Sequence, residues 1–152
     1  MKIAIGADHR GFELKSELIP FLKSQGYEVK DFGTDSASPC DYPFIAYDVA
    51  HSVSTGESDR GILICMSGIG MSIVANKLPN VRAAVCSTKI EAALSKQHND
   101  ANIIIVSAKY VQDDPRDILK AWLNAEITEE RHKKRVDQIR EIEEKILRGK
   151  KR

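Results

Sequence analysis

Hydrophobic residues fall along this chain into short runs separated by amphipathic stretches. The runs "KIAIG" (2–6), "YEVKDF" (27–32), "GILIC" (61–65), "RAAVC" (82–86) and "NIIIV" (102–106) predict five β-strands. Three of them are nearly unbroken apolar runs, the pattern of strands covered on both faces of a parallel sheet. Between the runs the spacing changes to that of helices. Residues 11–25 place Leu14, Leu18, Phe21 and Leu22 on one stripe, with Pro20 a candidate kink or early stop. Residues 43–54 place Ile45, Ala46, Val49, Ala50 and Val53 likewise, and "GMSIVANK", "STKIEAALSKQ" and "PRDILKAWLNA" supply three more helices. Strand–helix alternation with short connections predicts βαβ units with right-handed crossovers. The expected architecture is a three-layer, doubly wound (Rossmann-like) α/β fold around a five-stranded parallel sheet.

The last segment is different. Thr128 is a candidate N-cap with Glu129 and Glu130 in the first turn, and Val136, Ile139, Ile142 and Ile146 then recur every three or four residues. An extended C-terminal helix over 128–148 is expected, with 149–152 a frayed tail. Its narrow apolar seam fits either packing on its own domain or crossing to a second subunit. No internal repeat, low-complexity segment or linker interrupts the chain, so 1–152 reads as a single domain.

Composition narrows the function classes. The 152 residues are 42% hydrophobic and 30% charged, with a formal net charge of +1. That balance gives no general attraction to nucleic acid or anionic lipid, and no apolar run approaches the length of a membrane span. The N-terminus lacks the features of a signal peptide. Cys40, Cys65 and Cys86 are odd in number and irregularly spaced, without metal-ligand spacing. A reducing, cytoplasmic setting without a metal is expected.

In open parallel sheets, ligands bind beyond the carboxyl ends of the strands. Two such ends here are rich in polar chemistry. After the first strand comes "GADHRG". Gly6 and Gly11 have the spacing of a Walker A loop, but Phe12 and Glu13 stand where Lys and Ser/Thr are required, which excludes a P-loop NTPase. Asp8 and His9 fit a helix-capping turn and a ligand contact equally well. After the third strand comes "CMSGIGMS". Gly68 and Gly70 form G-x-G, but Ile73 occupies the third glycine position, so the dinucleotide fingerprint is incomplete. Exposed turn amides suit an anion or oxyanion, although a lone G-x-G is more often a tight turn without a ligand. Cys65 taken alone is most simply a small core residue. At the mouth of a helix it gains the chance of a depressed pKa and a role as nucleophile or base, with the Ser67 hydroxyl in the same turn.

Two further stretches stand out. In "KQHNDAN", His98 and Asn99 end a helix before the fifth strand, where the dipole favours His and Asn suits a left-handed cap. In "ERHKKR", residues 131–135 put positive charge in the first turns of a helix, where the dipole opposes it. A solvated face tolerates this. An anion bridging Arg131 and Arg135 would turn the penalty into a gain, since paired guanidinium forks suit phosphate.

Taken together, "KIAIGADHRGFELK", "GYEVKDFGT", "DYP", the cysteine-headed "SGIGMSI" turn, "VRAAVC", "QHNDANI" and "ERHKKR" resemble ribose-5-phosphate isomerase type B. That family belongs to the sugar-phosphate isomerase group that includes galactose-6-phosphate isomerase. The resemblance covers nearly the whole chain. It implies an aldose–ketose isomerase acting through a cis-enediolate, without metal, nucleotide or other cofactor. It implies Cys65 as the catalytic base, Ser67 with the turn amides of Gly68 and Gly70 as enediolate stabilisers, and His98 in furanose ring opening, assisted by Asp41. It further implies Asp8, Tyr42 and Asn99 as sugar contacts, and His9, Lys109, Arg131 and Arg135 as phosphate contacts. Met66 stands where the family usually has Gly, and Lys109 where many members have Arg.

Topology adds an expectation of its own. Cys65 follows a strand, whereas His98 and Asn99 precede one, so the two groups should lie at opposite sheet edges. A homodimer with shared active sites, with tetramers as a further pairing, would bring them together, as the resemblance also implies. Ribose 5-phosphate is the expected substrate. The rivals are a six-carbon aldose phosphate (allose or galactose 6-phosphate) and a non-catalytic sugar-phosphate-binding module.

Overall fold

The computed structural model describes residues 1–150. In chain order the elements are β1 (Lys2–Ala7), α1 (Phe12–Ser24), β2 (Glu28–Asp31), α2 (Tyr42–Ser54), β3 (Arg60–Cys65), α3 (Ile69–Ala75), β4 (Ala83–Val85), α4 (Lys89–Asn99), β5 (Ile103–Ser107), α5 (Pro115–Asn124) and α6 (Glu130–Gly149). The strands form one five-stranded sheet in the order β2-β1-β3-β5-β4, and every pairing is parallel.

Alternation along the central strands divides the core in two. Ile3, Ile5, Ile62, Ile64, Ile104 and Val106 point to one face and pack with Leu18 and Leu22 of α1, Ala92 of α4 and Ile118, Leu119 and Trp122 of α5. Ala4, Leu63, Cys65, Ile103 and Ile105 point to the other, against Val49 and Ala50 of α2 and Met71 and Ala75 of α3. Burial on both faces accounts for the unbroken apolar runs. Trp122 is fully buried, and its Nε1 donates to the Ala101 carbonyl at 3.0 Å.

Local expectations at three helices are corrected. α1 runs through Pro20 to Ser24, because Leu18 and Leu22, on either side of the proline, are both anchored in the core. α6 starts at Glu130 with Glu129, not Thr128, at the N-cap, and the Glu129 carboxylate makes no cap but turns to Arg131 Nε at 2.7 Å. Its other end reaches Gly149, which is helical and not tail; 151–152 lie outside the described residues. At the end of α4 the left-handed cap is Asp100 (φ 48°), not Asn99. Its carboxylate is held by Lys96 and by Arg82 Nη2 at 3.2 Å. Among the described residues no helix is long and apolar enough to cross a membrane.

Candidate active site

The chain leaves β1 towards β2 on one side and returns to β3 on the other, so the strand order reverses between β1 and β3. In doubly wound sheets this switch point opens a crevice beyond the strand ends. The loops carrying "ADHRG" and "CMSGIG" begin there and are stitched together. The Asp8 amide donates to the Ile64 carbonyl at 3.2 Å. A Cβ on Gly11 would lie 2.6 Å from that same carbonyl oxygen, so only glycine permits the approach.

Each loop orients its functional groups locally. Asp8 is buried, and its Oδ1 accepts from the amides of Arg10 and Gly11 at 3.0 and 3.1 Å. The turn-capping reading of Asp8 is therefore satisfied. His9 Nδ1 accepts from the Cys40 amide at 3.2 Å, which leaves the hydrogen of a neutral ring on Nε2. Cys65 closes β3 with its thiol buried, and Sγ accepts from the Gly68 amide at 3.0 Å. Gly68 adopts φ +83°, and a Cβ there would meet Ile105 Cγ2 at 2.8 Å. Ser67 Oγ accepts from the Ile69 amide at 3.3 Å. A Cβ on Gly70 would lie 2.4 Å from Tyr42 Cζ and 2.5 Å from its hydroxyl, so the Tyr42 ring lies directly over the turn. Asp41 is exposed immediately before α2 and makes no side-chain cap.

The thiol differs from the sequence expectation. Burial pushes the Cys65 pKa up; the Gly68 amide works against this, the Asp8 carboxylate adds to it, and the amides of Ser67 and Met71 again oppose it. α3 has only seven residues, so its dipole is too weak to reverse the cost of desolvation.

Sequence reasoning missed three supports of this locus. Ser107, buried at the end of β5, donates through Oγ to the Met66 carbonyl. The same oxygen accepts from the amides of Lys109 and Tyr110 at 3.1 and 2.7 Å, so one hydroxyl ties the Cys65 turn to the Lys109 turn. A polar residue closing the run "IIIV" was its only signal. The second is the Cys40 amide on His9. The third is Arg10, whose Nη1 lies 3.5 Å from Met66 Sδ and so links the β1 loop to the β3 loop at the surface.

The structure thus gathers Asp8, His9, Asp41, Tyr42, Cys65, Ser67, Gly68, Gly70 and Lys109 at the carboxyl edge of the sheet. His98, Asn99, Arg131 and Arg135 are not among them. His98 lies at the amino edge, in a cleft of about 390 Å³ shared with Asn124, Thr128, Glu129 and His132. Asn99 lines a neighbouring groove with Ile139 and Ile142 of α6. Arg131 and Arg135 are exposed in the first turns of α6, and Arg131 is paired with Glu129.

Comparison with known proteins gives a consistent result. A family model described as Ribose/Galactose Isomerase matches residues 3–139. Ribose-5-phosphate isomerase B of Escherichia coli (strain K12) is 46% identical over 145 residues, which is 95% of this chain and 97% of that protein. The structure of ribose-5-phosphate isomerase B of Clostridium thermocellum aligns with a TM-score of 0.92 at 50% identity, over 96% of this chain and 99% of that one. The Mycoplasma genitalium ribose-5-phosphate isomerase B, solved with bound ribulose 5-phosphate, aligns with a TM-score of 0.89 at 36% identity, over 94% and 96%.

Proposed function

The chain belongs to the ribose/galactose isomerase family, and we propose that it interconverts D-ribose 5-phosphate and D-ribulose 5-phosphate. The observation that carries this reading is the Cys65 thiol on the Gly68 amide, at the switch point beside Asp8 and under Tyr42. Aldose–ketose exchange needs a base for the proton alpha to a carbonyl and donors for the oxyanion on the same small locus. Cys65 as thiolate takes the proton from C2 and returns it at C1. The negative charge that develops on the enediolate oxygen is met by Ser67 and the turn amides. The phosphate, remote from the reacting carbons, supplies orienting energy through His9 and Lys109.

The remaining groups come from a second copy. His98 of that copy, assisted by Asp41 from the Cys65 side, opens the furanose; its Asn99 holds the sugar; its Arg131 and Arg135 clasp the phosphate. Their position at the amino edge supports a homodimer with shared sites, as do large apolar side chains left exposed at the carboxyl edge, among them Phe44, Ile69 and Ile90. Three free cysteines suit a reducing, cytoplasmic setting.

A five-carbon substrate is favoured over allose or galactose 6-phosphate by the similarity to relatives named ribose-5-phosphate isomerase B. A non-catalytic binding module would have no use for a thiol seated on turn amides. A coupled assay with purified protein tests the reading. Turnover of ribose 5-phosphate is expected to exceed that of allose 6-phosphate, and Cys65→Ala to lower kcat by about 10²–10⁴-fold, the usual contribution of a positioned base. A wild type inactive on both sugars, or a fully active Cys65→Ala, would refute it.

A further inference from the structure

A second imidazole stands behind the proposed ring-opening residue. His98, in the last turn of α4, and His132, in the first turn of α6, are stacked with ring centroids 4.1 Å apart and planes 21° from parallel. His132 is only 4% exposed, and neither of its ring nitrogens has a hydrogen-bond partner among the described residues. Glu129 Oε2 stays 3.8 Å from its Nε2, beyond hydrogen-bonding distance, because Arg131 Nε holds that oxygen at 2.7 Å. Burial pushes the His132 pKa down, and His98 and Arg131 push it further against the opposing Glu129 carboxylate, so the charged ring is disfavoured. It therefore contributes neither charge nor a hydrogen bond. A buried polar ring without partners costs stability, and what it offers in return is a flat face against His98.

We propose that His132 is a positioning residue, whose ring face fixes the side-chain orientation of His98 for opening the furanose. The inference rests on the ring-opening reading of His98. Opening breaks the bond between C1 and the ring oxygen O4. The hydroxyl on C1 loses a proton as the carbonyl forms, and O4 gains one. An imidazole with one N–H and one lone pair can serve both oxygens and return to its starting state, with no redox change. It must be turned correctly to reach both, and His98 is only half-buried, so the α4 helix end alone does not lock its rotamer.

The reaction direction separates this role from a structural one. Ribulose 5-phosphate has its terminal oxygen esterified and is open-chain, so its turnover needs no ring opening. Ribose 5-phosphate is mostly furanose. In His132→Leu, turnover from ribose 5-phosphate is expected to fall about tenfold or more, as misplacement of a catalytic group does, while turnover from ribulose 5-phosphate stays close to wild type. His132→Phe keeps an aromatic face and is expected to recover most of the lost rate. Melting temperatures of both variants serve as the fold control. Equal loss in both directions, no loss in His132→Leu, or no recovery in His132→Phe would overturn the proposal. His98→Ala distinguishes the levels. If it shows the directional loss and His132→Leu does not, only the positioning role falls. If His98→Ala is itself symmetric, the ring-opening reading falls and takes this inference with it.

Discussion

Two cysteines of this chain close strand-like runs and are buried, yet their surroundings fit them for different uses. Cys86 has its pKa pushed up to about 11, chiefly by burial, with the Ser95 side chain opposing only weakly. It faces the α1–α4–α5 core and is inert at neutral pH. Cys65 is also pushed up by burial, but the Gly68 amide donates to its sulfur and the amides of Ser67 and Met71 add to the opposition. Those donors favour the thiolate, so Cys65 is the thiol that can be used. The sign of its shift has a kinetic consequence. A base acts in its deprotonated form, and a pKa raised above that of an ordinary thiol leaves that form scarce at neutral pH. The rate from ribulose 5-phosphate is therefore expected to climb continuously from pH 7 to pH 9. A pH–rate profile already flat at pH 7 would show that this thiol is not the limiting base.

At the scale of elements, two glycines show how the same residue type serves two ends. Gly11 sits at the start of α1 with the Ile64 backbone 2.6 Å from where its Cβ would be, whereas Gly70 lies inside α3 under the movable Tyr42 ring. Backbone cannot give way, so Gly11→Ala is expected to destabilise the fold by about 1–3 kcal/mol, the usual cost of overpacking. Gly70→Ala should leave the melting temperature at or above wild type, because alanine favours helix. It should nonetheless reduce kcat/KM about tenfold by displacing Tyr42 from the turn. Chemical and thermal melts with steady-state kinetics on both variants check the contrast. The sequence spacing made the strands and most helices legible, because the strand runs are short and β-branched while the stretches between them repeat every three or four residues. It also singled out Gly68 and Gly70. It could not show that Gly70 is covered by Tyr42, that Ser107 ties two loops together, or that Glu129 takes the cap from Thr128. Those depend on side chains brought together from distant elements. The direction of the thiol shift is hidden from the sequence for the same reason, since the depth of burial is set by α2 and α3 packing on the sheet.

For the molecule as a whole, the parallel sheet imposes a separation that no loop rearrangement within one chain removes. All strand ends carrying Cys65, Asp8 and Lys109 lie on one edge, and the residues that precede β5 or follow α5 lie on the other. A twofold axis can set the amino edge of one copy against the carboxyl edge of the next, and does so twice. The α6 seam, with Ile139, Ile142 and Ile146 exposed, is available for the same contact. The arrangement predicts complementation. A Cys65→Ala chain retains an intact His98, and a His98→Ala chain retains an intact Cys65. Alone, each is expected to be nearly inactive on ribose 5-phosphate. When the two are unfolded together and refolded in equal amounts, half of the dimers are mixed. Each mixed dimer has one site with both groups restored and one with neither, so about a quarter of wild-type activity should return. If Cys65 and His98 served one site from the same chain, no intact site would form in any combination. The refolded mixture would then stay as inactive as its parents, and the shared-site reading would be lost.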